Sequence, residues 1–124
     1  MSNYVTKDSG ARYKEASGFQ RDTQDNKPRF NLLLPKNVPY KEQFLVQFAE
    51  LLGRGAQKYA ERNWEQAESE TALERAKESL LRHAIQACCD EDDEDHISAV
   101  AFNAMFIKTL RYKIKNGKTN PSKN

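Results

Sequence analysis

The sequence predicts a small all-α domain: a bundle of about three main helices with a polar N-terminal arm, completed by oligomerisation. Three observations carry that prediction. Apolar residues recur at spacings of three and four in three stretches between residues 40 and 115. Prolines, a polar loop and an acidic run separate those stretches. The chain has 124 residues, which sets one domain with a modest core. Its mean hydropathy of −0.90 is low because the two ends are almost free of apolar runs.

Residues 1–29 are rich in Ser, Asp, Lys and Gln and read as a flexible polar arm. Residues 30–114 read as the folded all-α domain, and 115–124 as a basic disordered tail. Pro35 and Pro39 bracket a turn before the first helix, expected from about Tyr40 to Tyr59. Its stripe is Phe44, Leu45, Phe48, Leu51, Leu52 and Gly55. Gly55 falls inside the stripe, where it would permit a close backbone approach. The segment AERNWEQAESE forms a loop around Trp64. The second helix starts near Thr71, where Thr71 and Glu74 have capping-box spacing, and ends near Cys89 or Asp90. Leu73, Ala76, Leu80, Ala84, Ala87 and Cys88 give its apolar face. The third helix runs from about Glu94 to Lys115, with acids in its first turn to suit the helix dipole. Apolar residues cover most of its circumference, so it is the central helix.

Several function classes drop out. Twenty basic residues against eighteen acids give a net charge of +2, so no nucleic-acid partner is expected. No run of eighteen apolar residues exists, and the N-terminus has no apolar signal core. No membrane partner is expected, and the expected location is cytoplasmic. Cys88 and Cys89 are the only cysteines and are adjacent, which excludes a disulfide framework and a thiolate zinc site within one chain. Cys88 should pack on a helix face.

The candidate chemistry sits at the helix ends. His96 and Asn103 lie seven apart on one side of the third helix. They are either a satisfied core pair that sets helix register or, with Asp95 and His83, the floor of a pocket. Arg82 follows Glu78 by four, so it is an intrahelical ion-pair partner or a phosphate contact. GRGAQKYAERNW, residues 53–64, gathers Arg54, Lys58, Tyr59, Arg62, Asn63 and Trp64. Cations beside aromatics suit a stacked base with neutralised phosphates, although Trp64 also reads as a core plug. The acidic run 90–95 is a solvated turn or a source of metal ligands, with Glu91, Asp92, Glu94 and Asp95 on offer. The first helix supplies no inward carboxylate, since Glu50 lies away from its stripe.

Taken together, SGFQRDTQDNKPRFNLLLP, GRGAQKYAERNW and LLRHAIQACCDEDDEDHISAVAFN resemble the phage and bacterial dATP/dGTP diphosphohydrolase N-terminal domain. That family is akin to the all-α MazG-like nucleoside triphosphate pyrophosphohydrolases, and the resemblance covers roughly residues 17–110. It implies a homo-oligomer that cleaves a purine deoxynucleoside triphosphate between its α and β phosphates with Mg²⁺. If phage-encoded, it would act in the host cytoplasm. Nucleotide-binding positions would be Lys27, Arg29, Lys58, Tyr59, Asn63, Trp64, Arg82, His83 and Asn103. Glu94, Asp95 and His96 would be catalytic, and Glu91, Glu94 and Asp95 would hold the metal. Two departures stand out. Gly53 and Arg54 occupy the place where relatives carry an acid, and CCDE precedes the DEDH segment where relatives place a Gly turn. The alternative is therefore a nucleotide-binding protein without catalysis, one that sequesters a nucleotide or nucleotide-derived signal.

Overall fold

The computed structural model describes residues 4–23 and 26–117. The chain divides into two compact units, residues 1–35 and 36–124.

In the first unit, strand β1 (Arg12–Lys14) pairs antiparallel with β2 (Gln20–Asp22), placing Tyr13 opposite Arg21. Gly18 takes a left-handed φ of 96° in the connecting loop, and Gly18 N–H donates to Glu15 O at 2.9 Å. Strands this short gain little from packing. Polar contacts around the Asp22 carboxylate add to the pairing. Ser9 Oγ donates to it, and Lys27 and Arg12 approach within 3.3 and 3.8 Å. Asp8 binds Arg12 at 2.6 Å, and that guanidinium holds its carboxyl down to about 2. The sequence reading has only a flexible arm here. Nearly all side chains of the hairpin are exposed, so there was no apolar alternation to read.

The second unit begins with a 3-10 turn, Tyr40–Glu42. Gln43 is extended, and its side-chain amide donates to Val38 O at 3.1 Å. This postpones helix α1 to Phe44–Lys58, four residues later than its expected start. Leu45, Phe48, Leu51 and Leu52 are half-buried along it, and Phe44 stacks on Phe48 at 5.8 Å. Gly55 makes no close approach: a Cβ built there meets nothing within 4 Å.

Helix α2 spans Glu70–Cys88. Its cap is Ser69, whose Oγ accepts from Ala72 N–H at 3.0 Å, so the Thr71–Glu74 box is not used. The extended Ser69 satisfies an otherwise orphaned N–H two residues before Thr71. At the other end Asp90 sits in the left-handed region, φ 58°. Asp90 N–H donates to Ala87 O and Glu91 N–H to Gln86 O, both at 3.0 Å. This is a Schellman turn with Asp where glycine is usual. Both cysteines are exposed beside it, which corrects the expectation that Cys88 packs.

Helix α3 runs His96–Gly117 and packs against both α2 and α1, the central position expected of it. It includes residues 115–117 of the expected tail, whereas 118–124 lie outside the described residues. Asp95 starts it: its Oδ1 accepts from Ser98 N–H and its carbonyl from Ala99 N–H, each at 3.1 Å. Leu73 and Ala76 of α2 meet Leu110 of α3, with Phe106, Ile107 and Ile114 around them. Higher up, Asn103 Nδ2 donates to Ser79 Oγ at 3.3 Å, and the two histidines meet at 2.9 Å.

Two variants test this account by chemical denaturation. Leu110→Ala, at a fully buried side chain, should lose about 2–5 kcal/mol. Asp90→Gly should gain about 1 kcal/mol by relieving the left-handed backbone.

Candidate functional site

The helical unit carries a cleft of about 1420 Å³, formed by the second half of α1, the loop after it, the α2–α3 turn and α3. Its construction begins where α1 ends. Tyr59 N–H still donates to Gly55 O at 3.0 Å, and Arg62 then takes a left-handed φ of 57°. That reversal starts a short 3-10 turn, Asn63–Gln66, clipped by Arg62 Nη1 to Glu65 at 2.7 Å. The turn delivers Trp64 edge-on to Phe102 and Phe106, each at 5.9 Å, and those two rings stack at 5.6 Å. Such aromatic contacts add about 0.5–1.5 kcal/mol beyond area burial. Trp64 therefore does both things the sequence allowed: it plugs against α3 and lines the cleft.

Arg54 and Lys58 bring positive charge to this cleft from α1. Lys58 Nζ lies 5.1 Å from the centroid of the Tyr59 ring, and Tyr59 is 65% exposed. Asp93, Glu94 and Asp95 bring negative charge from the turn before α3. The combination of an open aromatic ring, cations and carboxylates suits a phosphorylated aromatic ligand that carries a divalent cation.

A family model described as dATP/dGTP diphosphohydrolase, N-terminal, matches residues 17–120. The chain belongs to this family. The match spans all three helices and therefore the whole cleft. No curated protein and no solved structure matched the chain.

Lys58, Tyr59, Asn63, Trp64, Glu94 and Asp95 come together in the cleft. The other expected residues of this unit lie outside the cleft. Asn103 is 5% exposed, and its amide donates to Ala99 O and Ser79 Oγ. His96 is 2% exposed, with Nε2 2.7 Å from Asp93 Oδ1 and Nδ1 2.9 Å from His83 Nδ1. Both side chains face α2 and do not line the cleft. Arg82 is exposed and approaches Ser79 Oγ at 3.4 Å, and among the described residues it forms no ion pair with Glu78. Glu91 accepts from Gln86 Nε2 at 3.1 Å. Lys27 holds Asp22, and Arg29 donates to Asn31, within the first unit.

Arg54 lines the cleft with the cationic and aromatic group expected of residues 53–64, while Glu61 and Asp93 line it without having been singled out as site residues. Asp93 had one usable signal, its i,i+3 spacing from His96. Glu91, Asp93 and His96 each offer a ligand atom, all within 4.8 Å of one another. For Mg²⁺, which favours oxygen, the carboxylates of this group fit and the imidazole does not. Asp93 and Glu94 at the cleft supply the one or two carboxylates such an ion needs beside phosphate oxygens.

The electrostatics are directional. The His96 hydrogen bond, above all, holds the Asp93 carboxyl below the usual range. Burial first, and the Arg82 charge second, depress the His83 imidazole below 6.5. A histidine with a lowered folded value binds fewer protons when folded than when unfolded, so stability rises with pH across that interval. Lowering the pH from about 7 to about 5 should therefore reduce the urea midpoint, and His83→Asn should lessen the loss. Asp93 contributes in the same direction, but only below the ordinary carboxylate value of 3.8.

Proposed function

We propose that this domain binds a purine (deoxy)nucleoside triphosphate in the cleft and hydrolyses it to the monophosphate and pyrophosphate. One observation carries the reading: a single cleft in a dATP/dGTP diphosphohydrolase domain is lined by stacking rings, cations and a run of carboxylates. The family description concerns an N-terminal region, and its name supports the reaction class.

Tyr59 stacks the base while Asn63 offers hydrogen bonds to base or ribose. Lys58 and Arg54 neutralise the phosphates. Asp93, with Asp95 beside it, would hold Mg²⁺, which when bound neutralises phosphate charge and polarises the α-phosphorus. Water attacks that phosphorus, the bridging bond between the α-phosphorus and its oxygen breaks, and pyrophosphate leaves. Glu94, exposed at the cleft, takes the proton of the attacking water. The aromatic wall limits competing solvent.

A second reading has a specific observation behind it. Among the described residues α1 brings cations but no carboxylate to the cleft, and Glu50 is exposed outside it. A cleft that lacks one metal carboxylate would bind a nucleotide and keep it intact. A homo-oligomer is part of both readings. Leu81, Ile85 and Ile97 are at least 60% exposed, while the described hydrophobic core is only Leu73, Ala76, Ala99 and Leu110.

Incubation with dGTP or dATP and Mg²⁺ should release pyrophosphate, detected by coupled assay and mass spectrometry, and EDTA should stop it. Lys58→Ala should raise KM about tenfold through loss of a charged contact. No turnover at high enzyme concentration, with tight metal-free binding and nucleotide recovered intact, would select the second reading.

A further inference from the structure

The chain contains two histidines, and they meet behind the turn that carries the cleft acids. His96 is 2% exposed and bonded at both ring nitrogens, to Asp93 Oδ1 through Nε2 and to His83 Nδ1 through Nδ1. An ionised carboxylate can only accept, so His96 Nε2 must carry the proton. In a neutral ring the Nδ1 is then bare and accepts, which makes His83 Nδ1 the donor. The chain of hydrogen bonds runs one way, from His83 to His96 to Asp93.

Asp93 stands at the end of that chain with its side chain 64% exposed, and it lines the cleft. A solvent-exposed aspartate ordinarily samples several rotamers. Here one oxygen is bound by a ring that has almost no room to move, which leaves the second oxygen for a ligand. Glu94 is exposed and has no such support; Asp95 is also fixed, but as the cap of α3, with its Oδ1 taken by the Ser98 N–H, and it is half-buried where Asp93 is open. A fixed carboxylate costs less to order around a cation than a free one does.

We propose that His96 and His83 are positioning residues that fix the Asp93 carboxylate at the cleft as the leading oxygen donor for a divalent cation. This assigns a role to Asp93 and moves His96 out of direct catalysis. It rests on the nucleotide reading only for what the cation's other ligands are. A purely structural clasp between α2 and α3 would show the same direction but would have no effect on cation binding.

The test uses the full chain and no nucleotide. Long-range ¹H–¹⁵N spectra at about pH 8, above the ordinary imidazole range, report both rings without ambiguity. The expected tautomers are Nε2–H for His96 and Nδ1–H for His83, and any other pair overturns the proposal. Mn²⁺ alone, titrated by calorimetry, gives the second readout. Asp93→Asn should abolish binding. His83→Ala should weaken it about tenfold or more, while His83→Asn, which keeps a donor at the Nδ1 position, should stay within about threefold. Wild-type Mn²⁺ affinity in His83→Ala overturns the proposal. If His83→Ala fails to fold by circular dichroism, His83→Phe keeps the volume, removes the donor and is read by the same criterion. Absence of nucleotide turnover would defeat the hydrolase reading and leave both of these readouts standing.

Discussion

Polar side chains are buried between α2 and α3, and two of them bridge to the other helix. Asn103 reaches Ser79, and His96 reaches His83. A buried polar group left unpaired costs about 1–3 kcal/mol, more than a typical hydrogen bond returns. Sliding one helix along the other would break both cross-helix bonds at once, leaving Asn103 only Ala99 O and His96 only Asp93. Among the described residues no buried side-chain nitrogen or oxygen lacks a partner, so the register is satisfied as it stands. The apolar contact of Leu73, Ala76 and Leu110 supplies attraction but tolerates displacement better than these rungs do. The register in turn fixes the span that the connecting turn must bridge, and so where Asp93, Glu94 and Asp95 emerge.

The remainder of the cleft is held by a different kind of contact. Trp64 meets Phe102 and Phe106 edge-on, tying the loop after α1 to α3. That tie brings the cationic end of α1 to the same cleft as the acidic turn. The two anchorages are separate in sequence and chemistry, one polar and buried, the other aromatic and half-open. The family match, which runs from residue 17 to 120, covers both.

Much of this was legible from spacing alone. The stripe from Leu45 to Leu52 gave α1, and the many-sided apolarity of α3 gave its central place. The pairing of His96 and Asn103 on one side was also readable, because seven residues are close to two turns. Which neighbour that side faced was not readable, since α2 and a pocket both welcome polar groups. Helix ends were missed where side-chain caps decide them: Ser69 displaced Thr71, and Gln43 delayed α1. The hairpin escaped notice because its stabilising contacts are ionic and local, with no periodic apolar trace. Asp93 was hidden among acidic neighbours, and only the ring of His96 distinguishes it. Glycine at position 55 looked like a packing device, yet nothing lies near it.

The charge balance of the cleft has a thermodynamic corollary. Arg54, Lys58 and Arg62 face a larger set of carboxylates, Glu61, Glu65, Asp93, Glu94 and Asp95. Three positive charges against five negative ones leave the cleft anionic before anything enters it. A bare polyphosphate would meet net repulsion there, whereas a divalent cation entering first would cancel the excess negative charge. Whatever factor the cation adds to the affinity for an anion, the anion must return to the cation. In a cleft so charged the order of entry would matter: a cation could settle first and alone, and an anion would follow it.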